Sequence, residues 1–152
     1  LGKTDGASAA DGTSYLDLAE YIRAYGAEPK QDLTELWKRI VFNMAVSNTD
    51  DHLRNHGFIL TPTGWRLSPL FDVNPVPSGD RLSLNVSEAD NSIDLSLAVE
   101  VAEYFGLTKD EATKISTNIC EAVKKNWTKI AENYGLSRGA IEYMRPAFSL
   151  QP

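Results

Sequence analysis

Apolar residues recur every three or four positions in the first third of the chain, which is the period of an amphipathic helix. Ser14 precedes the first such stretch and Gly26 follows it, so we predict a capped helix between them. Residues 27–31 are expected to form a connector. A second helix is predicted to start at Asp32, because Asp32 and Glu35 have the spacing of a capping box. Its apolar stripe is wide, which indicates a central helix.

The pattern changes in the middle of the chain. Residues 57–60 and 65–68 predict two short strands, and residues 61–64, Thr-Pro-Thr-Gly, suit a type I turn between them. Three prolines within 69–77 exclude a helix there. The alternation of polar and apolar residues over 81–86 predicts a further strand.

Helical periodicity returns after residue 94. We predict one helix over 95–105 and a long one over 108–134, which opens with a capping box of Thr108 and Glu111. A short helix follows Ser137. The predicted fold is therefore mainly α with a small β-hairpin, an α+β class. The long helix is expected to face the core with Ala112, Ile115, Ile119, Ala122, Val123, Ile130 and Tyr134.

Composition narrows the functional classes. The 152 residues suit one domain or one lobe of a larger protein. Fifteen Lys and Arg residues against 21 Asp and Glu give a net charge of −6, which argues against direct DNA binding. The single Cys120 excludes an internal disulfide and a cysteine zinc site, and it favours a reducing, cytoplasmic setting. No apolar run reaches the length of a membrane span.

The candidate chemistry lies in a polar segment, residues 47–56, between the second helix and the hairpin. Asp50 and Asn55 are five positions apart in it, and Asp72 follows the second strand. Because a hairpin returns the chain to where it left, we expect Asn55 and Asp72 at the same open end. Two carboxylates and one amide oxygen form the hard, oxygen-only set that magnesium prefers.

Phosphoryl transfer uses such a set. One Asp orients the attacking hydroxyl, while an Asn and a second Asp hold magnesium against the phosphates. Protein kinases place the catalytic Asp and the Asn five residues apart, as Asp50 and Asn55 are. Two positions differ from the protein-kinase pattern. Thr49 replaces the Arg that precedes the catalytic Asp, and Asn74 replaces the Gly two positions after the metal-binding Asp. The sequence therefore does not predict an ordinary eukaryotic-type kinase.

Two motifs, one in the polar segment and one after the hairpin, resemble those of the HipA family of bacterial serine/threonine kinases, which are the toxins of toxin–antitoxin modules. They are Asn48-Thr49-Asp50-Asp51-His52-Leu53-Arg54-Asn55 and Ser68-Pro69-Leu70-Phe71-Asp72-Val73-Asn74-Pro75. The resemblance runs from about residue 1 to about residue 143. It implies that residues 1–152 are the mostly helical C-terminal lobe of a kinase-like fold. The family's upstream nucleotide-binding lobe has no counterpart in these residues.

The resemblance also implies roles for single residues. Asp50 matches the catalytic aspartate, Asn55 and Asp72 match the ligands of magnesium and its bound nucleotide, and His52 is expected to orient the loop. Asp51, next to Asp50, is expected to matter less. ATP would be the phosphate donor, Mg²⁺ the cofactor and a protein Ser or Thr the acceptor. Implied partners are a helix-turn-helix antitoxin, DNA only through that antitoxin, and no membrane.

Other interpretations stay open at this point. The same Asp and Asn spacing occurs in kinase-like enzymes that phosphorylate small molecules. The lobe could instead be a non-catalytic module that binds an antitoxin or another chain. Asp50 and Asp51 could simply cap a helix or form a turn. His52 and His56 have the spacing of a helical zinc pair, but Leu53 replaces the required Glu, and His56 is expected to hydrogen-bond near the loop.

Overall fold

A computed structural model describes residues 2–150 of the chain. Leu1, where the predicted lead-in loop begins, and residues 151–152, where the predicted domain ends, lie outside the described residues. The predicted mainly helical α+β class with one hairpin is confirmed. In chain order, the main elements are α1 (Tyr15–Tyr25), α2 (Pro29–Ala45), β1 (Phe58–Thr61), β2 (Gly64–Leu67), α3 (Leu95–Glu100), α4 (Lys109–Asn133) and α5 (Arg138–Met144). Single 3₁₀ turns cover Ala9–Asp11, Leu53–Asn55, Ala102–Phe105 and Arg145–Phe148.

Helix α2 is the central element, as its wide apolar stripe predicts. It packs against α1, α3 and α4, and its Leu36, Trp37 and Ile40 side chains are fully buried. The Trp37 indole Nε1 donates to the Ala98 carbonyl at 2.9 Å, so its polar atom is satisfied inside the core. Burial of these large side chains supplies most of the hydrophobic stabilisation that fixes α2, and α2 leads directly into the polar segment.

The predicted start of α2 at Asp32 is wrong. The helix begins at Pro29, whose ring suits the first helical position because its missing N–H would have no partner there. Asp32 lies in the first turn but does not cap the helix. Its buried carboxylate accepts hydrogen bonds from the Arg66 guanidinium and from the backbone N–H of Leu67 at 2.9 Å. The residue therefore ties β2 to α2.

The hairpin forms as predicted. Phe58 pairs with Leu67 and Thr61 with Gly64 in an antiparallel register. Gly64 has a φ of +138°, and a Cβ there would lie 2.9 Å from the Tyr25 carbonyl oxygen. Only glycine fits this position, because L side chains rarely adopt that backbone and the α1 terminus occupies the space.

The predicted strand over 81–86 is wrong, although its alternation is real. Leu82, Leu84 and Val86 are buried, as an inward-facing row requires. No neighbouring strand exists for them in the described chain. The backbone N–H groups of Leu82 and Val86 instead bond to the carbonyls of Asn91 and Asp90 at 2.8 and 2.7 Å. Periodicity reports which side chains face the core, but not whether a partner strand is present.

The long helix α4 forms over the predicted range, with the predicted capping box at Thr108. Its predicted core face is only partly correct. Ala112 is fully buried, whereas Ile130 and Tyr134 are exposed. The second half of α4 extends past α2, and an apolar groove of about 690 Å³ lies between it, Phe148 and Pro75. Within residues 2–150, no helix is both long and apolar enough to cross a membrane.

The predicted helix over 95–105 is also only partly correct. Helix α3 ends at Glu100, and a 3₁₀ turn from Ala102 to Phe105 completes the segment before Gly106. Gly106 adopts the left-handed conformation expected of a helix-closing glycine, with a φ of 78°.

Replacement of Asp32 by Ala should destabilise the protein. The buried N–H of Leu67 would lose its acceptor, which costs about 1–3 kcal/mol. Urea unfolding would measure the change. Glu28→Ala is the matched control, since Glu28 contacts the same Arg66 from an exposed position and should leave the midpoint nearly unchanged. Equal midpoints for the two variants would contradict this role of Asp32.

Candidate active site

The segment between α2 and β1 brings two of the predicted site residues together. The carboxylate of Asp50 is exposed, while Asn55 is buried at the end of the 3₁₀ turn. The Asn55 side-chain amide donates to the backbone carbonyl of Asp50 at 3.3 Å. This bond closes the six-residue loop from Asp50 to Asn55, and the Asp50 side chain at its start is exposed.

Asp72 follows β2 in an extended, exposed loop. Hydrogen bonding continues past the end of β2, because the N–H of Ser68 donates to the Gly57 carbonyl at 2.9 Å. A Cβ on Gly57 would lie 3.6 Å from the Phe71 ring. The residue before Asp72 is thus packed against the residue two positions after Asn55, at the open end of the hairpin.

The Asp72 loop is tied to the beginning of the polar segment by two hydrogen bonds. The N–H of Asn74 donates to the Asn48 side-chain oxygen at 3.3 Å, and the N–H of Val76 donates to the Ser47 carbonyl at 3.0 Å. Asn48 precedes Asp50 by two positions. The two loops that carry the predicted carboxylates are therefore directly joined.

A third contact lies behind Asp50. Gly79 packs so closely on Thr49 that a Cβ at position 79 would clash with the Thr49 methyl carbon. The Ser83 hydroxyl donates to the Thr49 carbonyl at 2.7 Å. The residue in front of Asp50 is thus held by the segment that follows Asp72, and any side chain at position 79 would have to displace it.

Asp51 is the residue whose importance the sequence reasoning missed. Its side chain is buried, and its Oδ2 accepts hydrogen bonds from the Tyr15 hydroxyl at 2.6 Å, the Asn43 amide at 2.6 Å and the His56 Nε2 at 3.0 Å. The expectation that Asp51 matters less than Asp50 concerns catalysis and stays a prediction, but these contacts give Asp51 a structural role in the loop. A sequence signal was present, since Asn43 is a polar residue inside the buried stripe of α2 and needs a partner.

Burial and the Asp51 charge also affect Tyr15. Its hydroxyl lies inside the core next to the carboxylate, and desolvation, followed by the negative charge of Asp51, raises the pKa of Tyr15 well above its usual 10.0. Tyr15 therefore stays a neutral donor to Asp51. The His56 ring lies edge-on to Tyr15, with centroids 5.8 Å apart, and its hydrogen bond to Asp51 confirms the predicted bond near the loop.

The backbone carbonyl of His52 accepts a hydrogen bond from the N–H of Asn55 at 2.9 Å, but among the described residues its imidazole makes no hydrogen bond to Asn55 or Asp72. Its Nε2 lies 3.3 Å from the Arg54 guanidinium, and its Nδ1 is buried without a partner among residues 2–150. The orienting role given to it stays a prediction. The zinc interpretation gains no support, because His56 is hydrogen-bonded to Asp51. Among residues 2–150, moreover, no group of three His, Cys, Asp or Glu residues could bind a metal.

The donor set fits magnesium better than zinc. Asn55 uses its amide nitrogen on Asp50, and the described residues place no donor on its Oδ1. Asp72 receives one hydrogen bond, from the Asn74 amide at 2.8 Å, which leaves its other oxygen for a cation. Two hard oxygens leave several octahedral positions to water and phosphate, which is how magnesium is usually held in nucleotide sites.

Comparison with known proteins shows the family and agrees with the fold. The sequence profile of the HipA-like C-terminal domain matches residues 2–127. The "Putative kinase" of Haemophilus influenzae is 27% identical over 132 residues, which cover 84% of this chain and 35% of that protein. The "Putative kinase Y4mE" of Sinorhizobium fredii is 31% identical over 62 residues, or 41% of this chain and 15% of that protein. The chain thus spans about a third or less of these relatives.

The neighbours Asp50 and Asp51 should differ sharply in their effect on stability. Asp51→Ala leaves three buried donors without an acceptor and should lower the free energy of unfolding by about 3 kcal/mol or more. Asp50→Ala removes an exposed side chain and should change it little. Urea unfolding of both variants is the measurement, and similar midpoints would contradict the role given to Asp51.

Alkaline pH should destabilise the protein through Tyr15. Its folded-state pKa is raised, so the stabilisation is fully present below the unfolded pKa of about 10 and is lost as the pH rises further. In a titration followed by phenolate absorbance, Tyr15 should ionise only as the chain unfolds. Tyr15→Phe should lack that step, and a Tyr15 that ionises in the folded protein would contradict the assignment.

Proposed function

Because the chain belongs to the family of HipA-like C-terminal domains, we propose that it is the catalytic lobe of an ATP-dependent kinase that phosphorylates a protein Ser or Thr. The observation that supports this most strongly is the closed loop in which the Asn55 amide bonds to the Asp50 carbonyl at 3.3 Å. The loop carries an exposed Asp50 carboxylate and ties the Asn55 side chain to the Asp50 backbone, and the two residues have the sequence spacing that protein kinases use for phosphoryl transfer.

Each residue has a distinct task in this proposal. The exposed carboxylate of Asp50 accepts a hydrogen bond from the attacking hydroxyl and takes its proton as the new oxygen–phosphorus bond forms, while the bond from the γ-phosphorus to the bridging oxygen of ATP breaks and ADP leaves. Asn55 and Asp72 would hold Mg²⁺, which, when bound with ATP, neutralises charge on the phosphates. Asp51 keeps the loop in shape through its three buried hydrogen bonds.

The cellular role is part of the same proposal. We assign the protein to a bacterial toxin–antitoxin module, acting in the cytoplasm and bound by a helix-turn-helix antitoxin that carries the DNA contact. The acidic balance of the chain, with a net charge of −6, agrees with a kinase that does not bind DNA itself. In this proposal, the elements that cover the nucleotide belong to the part of a HipA-like kinase that this chain does not match, since the match covers 35% of the Haemophilus influenzae relative.

Replacement of Asp50 by Asn in the full-length protein should abolish most of the activity. The variant keeps the shape of the side chain and removes the base, so transfer of radiolabelled γ-phosphate from ATP to protein should fall by about 10²-fold or more. Growth inhibition on expression should disappear with it.

Asp110→Asn, at an exposed position on α4, is the matched control and should keep full activity. Unchanged transfer by Asp50→Asn would exclude Asp50 as the base. Phosphorylation of small alcohols but not of protein would favour a small-molecule phosphotransferase, and wild-type protein without any transfer would favour a non-catalytic binding module.

A further inference from the structure

Hydrogen bonds through three asparagines connect the buried Asp51 with Asp72, and one of the links is the backbone N–H of Asn74. The Asn43 amide nitrogen donates to Asp51 at 2.6 Å, and the Asn48 amide nitrogen donates to the Asn43 oxygen at 3.1 Å. The Asn48 oxygen then accepts from the backbone N–H of Asn74 at 3.3 Å. The side chain of Asn74 donates to Asp72 at 2.8 Å. We call Asn43, Asn48 and Asn74 the amide row.

Asp51 sets the direction of the amide row. An ionised carboxylate can only accept, so Asn43 must turn its nitrogen towards Asp51 and its oxygen towards Asn48. Asn48 must then present its nitrogen to Asn43, which leaves its oxygen for the N–H of Asn74. Asn43 and Asn48 are both fully buried. A reversed amide would leave unpaired polar atoms in the core, so a single arrangement is favoured.

At the far end of the amide row, Asp72 has an unfavourable backbone conformation. Asp72 has a φ of 57°, in the left-handed region that is unfavourable for a residue with a Cβ. Such a conformation persists only when its surroundings hold it, and it is common where function requires an exact geometry. The hydrogen bonds of Asn74 to Asn48 and to Asp72, together with the bond from the N–H of Val76 to the Ser47 carbonyl, hold this loop against the segment that leads to Asp50.

We propose that Asn48 and Asn74 are positioning residues that fix the Asp72 carboxylate relative to the Asp50 loop, and thereby set the affinity of the site for its metal. The proposal rests on the proposed function, because Asp72 is taken as a metal ligand there. Hydrogen bonds to a ligating carboxylate from outside the coordination sphere typically change metal affinity or activity 10–100-fold.

Asn74 allows the clearest test, because it is exposed and its side chain bonds only to Asp72 among the described residues. Asn74→Ala in the full-length protein should raise the Mg²⁺ concentration that gives half-maximal phosphoryl transfer by about tenfold. The kcat at saturating Mg²⁺ and the melting temperature should stay near their wild-type values. A merely structural role would lower kcat and stability and leave the Mg²⁺ dependence unchanged.

A conservative variant provides the rescue. Elsewhere in this chain a serine two positions after an aspartate donates its hydroxyl to that carboxylate, as Ser92 does to Asp90 at 2.7 Å and Ser96 does to Asp94 at 2.8 Å. Asn74→Ser should therefore recover part of the lost Mg²⁺ affinity. Asn118→Ala, on the exposed face of α4, is the control and should behave as wild type.

Asn48→Asp tests the buried part of the row. The new carboxylate can still accept from the Asn74 N–H, but it faces the Asn43 oxygen, which has been turned towards it by Asp51. A rise in the Mg²⁺ requirement comparable to that of Asn74→Ala is expected. If this buried variant does not fold, Asn74→Ala and Asn74→Ser still decide the question.

A binding measurement separates this proposal from the proposed function. Mn²⁺ bound with a non-hydrolysable ATP analogue can be counted by electron paramagnetic resonance without any turnover. Weaker Mn²⁺ binding in Asn74→Ala than in wild type would support the positioning role even if no phosphate is transferred. Equal binding in the two proteins would overturn the role while leaving the kinase proposal intact. No binding in wild type would overturn both.

Discussion

The conformation of the candidate site depends on the buried carboxylate of Asp51. Three donors converge on one of its oxygens: Tyr15 from α1, Asn43 from α2, and His56, two positions before β1. A carboxylate inside a protein is costly unless donors replace its lost hydration, so Asp51 can be buried only when all three segments are in place. Formation of the site and assembly of these segments are therefore a single event. With Asp51 held inside, its neighbour Asp50 is left at the surface, where a substrate can reach it.

Left-handed backbone occurs on both segments that carry the predicted carboxylates. Ser47 and Asp72 are the two non-glycine residues with positive φ among the described residues, at 50° and 57°. Ser47 turns the chain out of α2, and Asp72 turns it away from β2. Each costs conformational energy that a side chain with a Cβ would normally avoid. The hydrogen bond from Val76 to the Ser47 carbonyl joins the two strained turns, so each supports the other.

The sequence predicted the elements and the local chemistry, but not the contacts between distant segments. Capping residues and apolar stripes located α1 and α4 closely, because both signals are local. The start of α2 was misplaced because Asp32 looks like a cap, whereas its true partner, Arg66, lies 34 positions away. The strand predicted over 81–86 needed a neighbour that periodicity cannot reveal. Asp51 was undervalued for the same reason, since Tyr15 is 36 positions distant.

The fixed direction of the amide row has a consequence for how this site can evolve. The Asn43 amide donates to Asp51 and the Asn48 amide donates to Asn43, so the orientation of each of these two amides is set by the acceptor before it. A substitution that removes or reverses one member leaves its neighbours with the wrong group facing them, so isolated changes at positions 43, 48 and 51 carry a penalty that paired changes avoid. These positions should therefore vary together between lineages, as a co-inherited set, whereas the exposed surface of α4 is free to drift one residue at a time.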